Sequence, residues 1–298
     1  MAVAFNLTAV AHALRAQVAW EKHAPSQIEA ALNSVAPRGF LHKEIHAALP
    51  IKHQRFNLLG PVGPACKNLE VFGGSGLQKR YRDLESKRAC GLSTVEAPCW
   101  VVSVGNANRW EFENAVHAST PCHIAVYDCT VALSVVVPMK LRDRVSLHRV
   151  CLGETHVPKK SIAFEVLNVS LSGRMSYSKA DSQMEFVNYS MLLERGGVLK
   201  PPVLLKMDIE GFEWQVLPSL LASGALAPEQ IAMELHYQTQ MKQLSWFGRY
   251  KSDAEMLALG MLIRRSGYLI AHRADNLVCK WCTELLLVRI PAVALSRR

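Results

Sequence analysis

The segment VLLKMDIEGFEW, residues 203–214, joins an apolar run that contains one lysine, Lys206, to three carboxylates within six residues. The run predicts a β-strand that is buried on both faces. Asp208 and Glu210 stand two residues apart, so on an extended chain their side chains point to the same side. Gly211 permits a sharp exit from the strand. The segment therefore predicts a buried strand whose end carries paired acids.

Two like charges that face one pocket are costly unless a cation, a positively charged ligand or a proton offsets them. Glu213 has a simpler explanation, because acids in the first turn of a helix interact favourably with the helix dipole. The pair formed by Asp208 and Glu210 is thus the stronger indication of a functional site.

Similar apolar runs recur on both sides of this segment and alternate with helical patterns. Continuous apolar strands separated by helices are typical of a parallel sheet in an α/β layer architecture. We expect a Rossmann-like, seven-stranded, mostly parallel sheet with helices on both faces and the last strand antiparallel. The predicted strands are 100–105, 123–128, 146–153, 203–208, 230–236, 268–272 and 284–290, and the helices 109–118, one around 186–195, 214–224 and 253–266.

The first 98 residues differ in character from the rest of the chain. Residues 2–20 and 26–35 predict short helices, and prolines and glycines between 61 and 76 predict loops. We therefore expect an N-terminal helical and loop-rich extension over 1–98 and a Rossmann-like domain over 99–298.

The composition is that of a globular chain, with 298 residues, 50% of them hydrophobic and 20% charged. The formal net charge of +9 favours anionic partners, but the basic residues are scattered and predict a solvated surface without specific nucleic-acid binding. No apolar run reaches the length of a membrane span, and the first twenty residues make a poor secretory signal. Compartment and oligomeric state are left open. The densest basic patches are Lys79, Arg80 and Arg82, then Lys87 and Arg88, then Lys159 and Lys160.

Seven of the eight cysteines fall into three groups, and Cys122 is assigned to none of them. Cys129 and Cys151 lie at apolar strand positions, where buried free thiols are common. Cys66, Cys90 and Cys99 lie in the loop-rich region and could form disulfides if the protein matures in an oxidising compartment. Cys279 and Cys282 form a single C-x-x-C pair, which is a weak zinc signal and equally fits a local disulfide or two free thiols.

Ligands in open α/β sheets bind beyond the carboxyl ends of the strands, so the residues that follow each strand are the candidates. After the first strand, Gly105 permits a tight turn and Asn106 and Asn108 add small polar groups; a ligand-free turn is the alternative. Asp128 ends the second strand, where an acid can accept hydrogen bonds from two ribose hydroxyls; a turn or helix-capping role is the alternative. Gly153 ends the third strand.

Glu234 and His236 end the fifth strand and share one of its faces. If the fourth and fifth strands are neighbours, these two residues converge with Asp208 and Glu210. Such a group could bind a divalent metal or supply a general base, although a strand-end histidine is often only a polar rim residue. Of the two ways to offset the acids, we favour a protonated His236 over a metal ion.

Five segments together resemble a known family. They are CWVVSVGNANRWEFE (99–113), AVYDCT (125–130), HRVCLGE (148–154), LLKMDIEGFEW (204–214) and AMELH (232–236). Their order resembles the methyltransferase-like domain family related to the FkbM-type methyltransferases. The resemblance covers residues 99–290. It implies that S-adenosylmethionine is the cofactor and that the glycine segment and the acid after the second strand, Asp128, contact it.

Ser103 stands where members of that family usually carry an acid, two residues before the glycine. The resemblance implies methyl transfer, with O-methylation of a small molecule or sugar-type (glycan) acceptor as the expected reaction. Expected cofactor contacts are Ser103, Gly105, Asn106, Asn108, Asp128 and Gly153, and the expected catalytic residues are Asp208, Glu210 and His236. Two alternatives remain: a catalytically inactive binding or scaffolding protein, and a nicotinamide-dependent oxidoreductase. The lack of a glycine-rich G-x-G-x-x-G fingerprint opposes the oxidoreductase.

Overall fold

The computed structural model describes residues 7–34, 53–63, 66–74, 86–153, 165–169, 175–179, 185–222, 224–237, 251–276, 279 and 281–290. A seven-stranded sheet forms its centre, in the order β12-β13-β11-β10-β3-β4-β5. The strands are β3 Trp100–Val104, β4 His123–Tyr127, β5 Val145–His148, β10 Leu204–Met207, β11 Gln230–His236, β12 Tyr268–Asp275 and β13 Cys282–Arg289. All neighbours are parallel except β13, which is antiparallel to both β11 and β12.

Each central strand buries both of its faces, which is why its sequence is largely apolar. On β10, for example, Leu205 and Met207 pack into one core cluster and Leu204 into the other. Helices α3 Tyr189–Arg195, α4 Glu213–Leu221 and α5 Asp253–Arg265 cover the first face, and α2 Glu111–Ser119 covers the second. The Rossmann-like α/β fold with helices on both faces and an antiparallel last strand is confirmed.

The second face of the sheet turns polar toward the carboxyl ends of its strands. Lys206 pairs in register with Ser103 on one neighbour and with Ala232 on the other, and Glu234 pairs with Glu284. Because side chains alternate along a strand, these polar residues lie on the face opposite Leu205 and Met207. The apolar core thus gives way to a row of ionisable side chains at the edge where ligands bind in such sheets.

The N-terminal extension is more ordered than its composition predicts. A single helix, α1 Leu7–Ser34, replaces the two short helices expected there, and two strands, β1 Leu69–Phe72 and β2 Lys87–Cys90, pair antiparallel in the region expected to be loops. Helix α1 packs against α5, and β2 lies against β11 and β13. None of the described helices is long and apolar enough to cross a bilayer.

The predicted third strand, 146–153, is wrong in its extent. The main-sheet strand β5 ends at His148, and Cys151–Leu152 forms a separate short strand, β6, which pairs with β9 Phe186–Val187. Phe186 therefore belongs to a strand, although we predicted it within a helix. A further antiparallel pair, β7 Glu165–Val169 and β8 Met175–Lys179, was not predicted.

All eight cysteines form disulfides: Cys66–Cys90, Cys99–Cys122, Cys129–Cys151 and Cys279–Cys282. Cα–Cα distances of 4.6–5.6 Å suit such bonds. Free thiols at Cys129 and Cys151 were the wrong expectation, because the sequence does not show that the turn after β4 lies beside β6. Cys99–Cys122 ties the start of β3 to that of β4.

We expect mass spectrometry of unreduced protein to identify these four linked peptide pairs. Three of them close loops of 22–24 residues, and each such loop closure stabilises the fold by about 3 kcal/mol. Reduction should therefore lower the melting temperature substantially. Free thiols at all eight positions in protein from its native source would contradict this pairing and indicate a reducing compartment.

Candidate functional site

The order of the strands reverses between β3 and β10, and the turns that follow these two strands touch. Gly105 has φ +79°, and a Cβ atom built on it would lie 1.8 Å from the Asp208 carbonyl oxygen. Lys206 donates from Nζ to the Gly105 carbonyl oxygen and to that of Val104. Only glycine fits position 105, and the physical reason is this close approach of two backbones. The reversal point is where ligands bind in open α/β sheets.

Strained backbone is concentrated in the same two turns. Among the described residues, Ala107, Asn108 and Glu210 are the non-glycine residues with positive φ, at 50°, 58° and 56°. A non-glycine residue in this region is uncommon, and such residues cluster at functional sites. All three lie at the carboxyl edge of the sheet, which supports a site there.

A buried acid that the sequence analysis missed lies beside the first turn. Glu113, in the first turn of α2, is 1% exposed. Its carboxylate accepts hydrogen bonds from Ser103 Oγ at 2.6 Å and from Asn106 Nδ2 at 3.1 Å. Burial raises its pKa, although Lys206 opposes that shift. A carboxylate is thus present beside Ser103, although it comes from the helix rather than from the strand.

Asp128 is buried at the end of β4, and its carboxylate accepts hydrogen bonds from the turn after β3 and from the turn after β4. Its Oδ2 accepts from the Ala107 amide at 2.6 Å, and its Oδ1 accepts from the amide and hydroxyl of Thr130 at 2.8 and 2.6 Å. This matches the turn role that the sequence left as the alternative. Contact with a ribose stays a prediction.

The other residues expected to contact the cofactor occupy different surroundings. Asn106 is buried, and its Oδ1 has no hydrogen-bond partner among the described residues. Asn108 is exposed and accepts a hydrogen bond from Trp110 Nε1. Gly153 follows β6, and a Cβ there would lie 2.7 Å from the ring of Phe186. Aromatic packing therefore explains Gly153 without a ligand.

Asp208, Glu234 and His236 converge at the ends of β10 and β11, as their predicted adjacency requires. One ligand atom from each lies within 4.8 Å of the others. His236 Nε2 is 3.7 Å from Glu210 Oε2 and 3.8 Å from Glu234 Oε2, and its Nδ1 is 3.4 Å from Glu213 Oε1. We call Asp208, Glu210, Glu213, Glu234, His236 and Glu284 the strand-end cluster.

Glu210 reaches the cluster differently from the prediction. Strand β10 ends at Met207, so Asp208 and Glu210 do not alternate on an extended chain. The left-handed backbone of Glu210 turns its carboxylate toward His236 instead. Glu213, for which helix-dipole stabilisation was the simpler explanation, is completely buried and accepts a hydrogen bond from the Ile209 amide.

The counter-charge of the cluster comes from the N-terminal extension. Lys87, on β2, is 3% exposed, and its Nζ lies 2.6 Å from Glu284 Oε1 and 3.4 Å from Asp208 Oδ2. The prediction of a solvated Lys87 is therefore wrong. No sequence pattern links these residues, since about 120 and 200 positions separate them and only folding brings them together.

Opposing charges set the protonation of the cluster. Burial lowers the pKa of Lys87, but Glu284, Asp208 and Glu234 outweigh it and raise that pKa. Burial, together with repulsion from Asp208, raises the pKa of Glu234 to about 8. Burial opposes protonation of His236, yet Glu213, Glu210 and Glu234 raise its pKa well above the usual value.

An open groove of about 530 Å³ lies elsewhere, along β12 and the start of the chain. Its lining includes no residue of the strand-end cluster and neither Gly105 nor Asp128. The reversal point remains the better site, because it joins buried charge to strained backbone. The groove is lined by Trp20, Asn57, Gly60, Pro61, Val62 and Arg273.

The chain has no match among protein-family models and no significant match among curated proteins. Solved structures similar to it include the ribosomal protein L11 methylase of Lactobacillus delbrueckii subsp. bulgaricus, at 11% identity and TM-score 0.33, covering 67% of this chain and 76% of that one. Another is an O-methyltransferase of neocarzinostatin biosynthesis, in complex with S-adenosylmethionine and a naphthoic acid, at 11% identity and TM-score 0.34, covering 67% and 52%.

A third is the mitomycin 7-O-methyltransferase, at 11% identity and TM-score 0.34, covering 91% of this chain and 68% of that one. For the neocarzinostatin enzyme and for two further similar structures, the aligned part is about half of the solved chain. Similarity at this level assigns no substrate and no residue role to this chain.

Replacing Lys87 with methionine should destabilise the protein by about 3–5 kcal/mol, because Glu284 and Asp208 would lose their buried partner. Lys67→Met, at an exposed lysine of the same extension, should change stability by less than about 0.5 kcal/mol. Denaturant unfolding measures both. In the Lys87→Met/Glu284→Leu double variant, part of the loss should return; equal stability of Lys87→Met and the unmutated protein would contradict the buried ion pair.

Proposed function

We propose that the protein is an S-adenosylmethionine-dependent methyltransferase that methylates an oxygen of a small-molecule or sugar-type acceptor. The observation that carries the proposal is the meeting of the Gly105 and Asp208 turns at the reversal point of the sheet, with strained backbone in both. The strand-end cluster lies on the β11 side of this point. Cofactor and acceptor sites would thus be adjacent.

The first turn suits the amino-acid end of the cofactor. Asn106 Oδ1 is a buried acceptor with no partner among the described residues, and a bound ammonium group would satisfy it. Glu113 adds a negative charge behind Asn106. Ser103 donates a hydrogen bond to Glu113 beside this turn. Gly105 has no side chain, which leaves room for the Asp208 backbone.

Asp128, the residue expected to bind the ribose of the cofactor, has fewer free acceptor positions than the sequence predicts. Asp128 already accepts three hydrogen bonds from the chain, one on Oδ2 and two on Oδ1. Each carboxylate oxygen has two acceptor positions, so one on Oδ2 remains for a hydroxyl. We therefore assign Asp128 one ribose contact and a bracing role for Ala107.

S-adenosylmethionine, when bound, supplies a methyl group on a sulfonium that passes to the acceptor oxygen while sulfur keeps the electron pair of the broken bond. The protein's own contribution is to orient the acceptor and to hold its proton. Asp208, at the end of β10, is placed to accept a hydrogen bond from the acceptor hydroxyl. His236, at the end of β11, has a raised pKa, so its protonated ring would donate a hydrogen bond to the acceptor and orient it. Glu210 borders them on the solvent side, since its side chain is 52% exposed.

The relationship to the FkbM-type methyltransferases is part of this proposal. It rests on K-x-D-x-E-G at 206–211 and E-x-H at 234–236. The strand acid that such proteins carry is serine here, and Glu113 offers a carboxylate to the same place. This substitution would preserve the negative charge of the cofactor site.

Calorimetric titration tests the cofactor. We expect saturable binding of S-adenosylmethionine and S-adenosylhomocysteine and none of the nicotinamide dinucleotides. Glu113→Gln should weaken S-adenosylhomocysteine binding by about 1–3 kcal/mol, because it removes a buried charge and disturbs Ser103 and Asn106.

Glu111→Gln is the matched control, since Glu111 lies in the same first helical turn and is only partly buried. The affinity of the Glu111→Gln variant for S-adenosylhomocysteine should equal that of the unmutated protein. If the fully folded protein binds neither S-adenosylmethionine nor S-adenosylhomocysteine, the proposed function is wrong.

Asp208→Asn and His236→Ala should reduce turnover far more than cofactor affinity, because both residues lie on the acceptor side of the reversal point. Transfer of a labelled methyl group to a panel of hydroxylated small molecules and sugars measures turnover, and calorimetry measures affinity. Equal loss of both quantities would instead place these residues in the cofactor site.

A non-catalytic binding protein is the second candidate, and the three hydrogen bonds already made by Asp128 favour it. Under that function the chain would bind S-adenosylhomocysteine weakly or not at all. No acceptor in the panel would then be methylated by protein whose fold is intact.

A further inference from the structure

We infer that the strand-end cluster is a binding site for one divalent cation, with Asp208, Glu234 and His236 as ligands and Glu210 beside them. This replaces the protonated His236 that the sequence favoured, because a bound ion displaces the proton from the imidazole. Donor atoms of the three ligands lie within 4.8 Å of one another. Glu234 and His236 lie on β11, and Asp208 directly follows the adjacent parallel strand β10, so the sheet holds their spacing.

The surroundings of His236 point to an ion rather than to a hydrogen bond. Its Nε2 faces Glu210 Oε2 at 3.7 Å and Glu234 Oε2 at 3.8 Å. Both distances are too long for hydrogen bonds. Ligands bound about 2.1 Å from a shared ion lie roughly 3–4 Å apart. The distance between His236 Nε2 and Glu234 Oε2 is in this range, and the donor atom of Asp208 lies within 4.8 Å of both residues' donor atoms.

The opposite ring nitrogen supplies an independent observation. His236 is 4% exposed, and its Nδ1 has no hydrogen-bond partner among the described residues. Glu213 Oε1 lies 3.4 Å away. Metal-bound histidines typically direct their second nitrogen to a carboxylate, and closure of this distance on metal binding would satisfy both groups.

Charge favours a cation as well. The cluster contains five carboxyl groups, two from the turn after β10 and one each from α4, β11 and β13. The cationic groups that act on it are Lys87 from β2, Lys206 from β10 and His236. The negative groups outnumber these cations, and Asn276 Nδ2, which donates to Glu234 Oε1, adds no charge.

The donor set selects the type of metal. Two carboxylates and one imidazole suit a borderline or hard divalent cation such as Mn²⁺. Cys279 and Cys282 also lie near His236, but they are joined in a disulfide and offer no thiolate. We therefore assign the ion to the carboxylate side of His236.

The metal site rests on this geometry alone, and only its role rests on the proposed function. An ion at the ends of β10 and β11 would bind the acceptor oxygen and lower the pKa of its hydroxyl. Asp208, Glu234 and His236 would then act on the acceptor through the metal.

The test is a titration of Mn²⁺ into unreduced protein without cofactor, followed by the electron paramagnetic resonance signal of free Mn²⁺. We expect one bound ion per chain, and at least tenfold weaker binding by Asp208→Asn and by Glu234→Gln. Asp143→Asn is the control, since Asp143 is an exposed acid that precedes β5 at the opposite edge of the sheet, and it should bind Mn²⁺ normally. Absence of stoichiometric binding, or equal affinity in all variants, overturns the site.

Misfolding of a variant does not weaken the test, because Mn²⁺ also broadens nuclear resonances in the unmutated protein. Broadening centred on residues 208–211 and 234–236 supports the site, and broadening centred elsewhere overturns it. Zn²⁺ binding that requires reduction and is lost in Cys279→Ser, without Mn²⁺ binding, also overturns it in favour of a thiolate site. Binding of S-adenosylhomocysteine is measured in a separate titration. Its loss would count against the proposed methyltransferase function and not against the metal site.

Discussion

The buried ammonium of Lys87 is the interaction on which the candidate site depends. A lysine taken out of water is costly unless carboxylates surround it, and Glu284 and Asp208 provide them. Lys87 lies on β2, whereas its partners lie on β13 and after β10. The extension and the sheet are thereby joined at the edge where ligands would bind. The extension is part of the site's electrostatics and not only an addition to the fold.

This ion pair also explains how so many acids remain at one end of the sheet. Glu234 and Glu284 pair in register on β11 and β13, and Asp208 follows the end of the neighbouring β10, so these three acids meet at one end of the sheet, where like charges repel. Lys87 offsets part of that repulsion from above the sheet, and Lys206 from within it. A bound cation would offset more. Repulsion between fixed carboxylates is thus the common reason for the lysine contacts and for the inferred metal.

Lys206 connects the two halves of the candidate site. Its ammonium holds the Gly105 turn through two carbonyl oxygens and attracts both Glu113 and Asp208. One side of this lysine holds the expected cofactor turn, and the other borders the strand-end cluster. Glu113 and Asp208, one in each half of the candidate site, are therefore both attracted by one buried ammonium.

The sequence alone determined the sheet, because strands buried on both faces must be largely apolar runs, as at 124–127 and 285–288. It also determined that Asp208, Glu234 and His236 meet, because adjacent parallel strands place their carboxyl ends together. Only the tertiary structure decided the partners of these residues. Lys87, Glu113 and Glu284, the disulfide between Cys129 and Cys151, and the bracing role of Asp128 all depend on contacts between distant segments. Local periodicity carries no information about such contacts, since they form only when whole layers of the fold pack together.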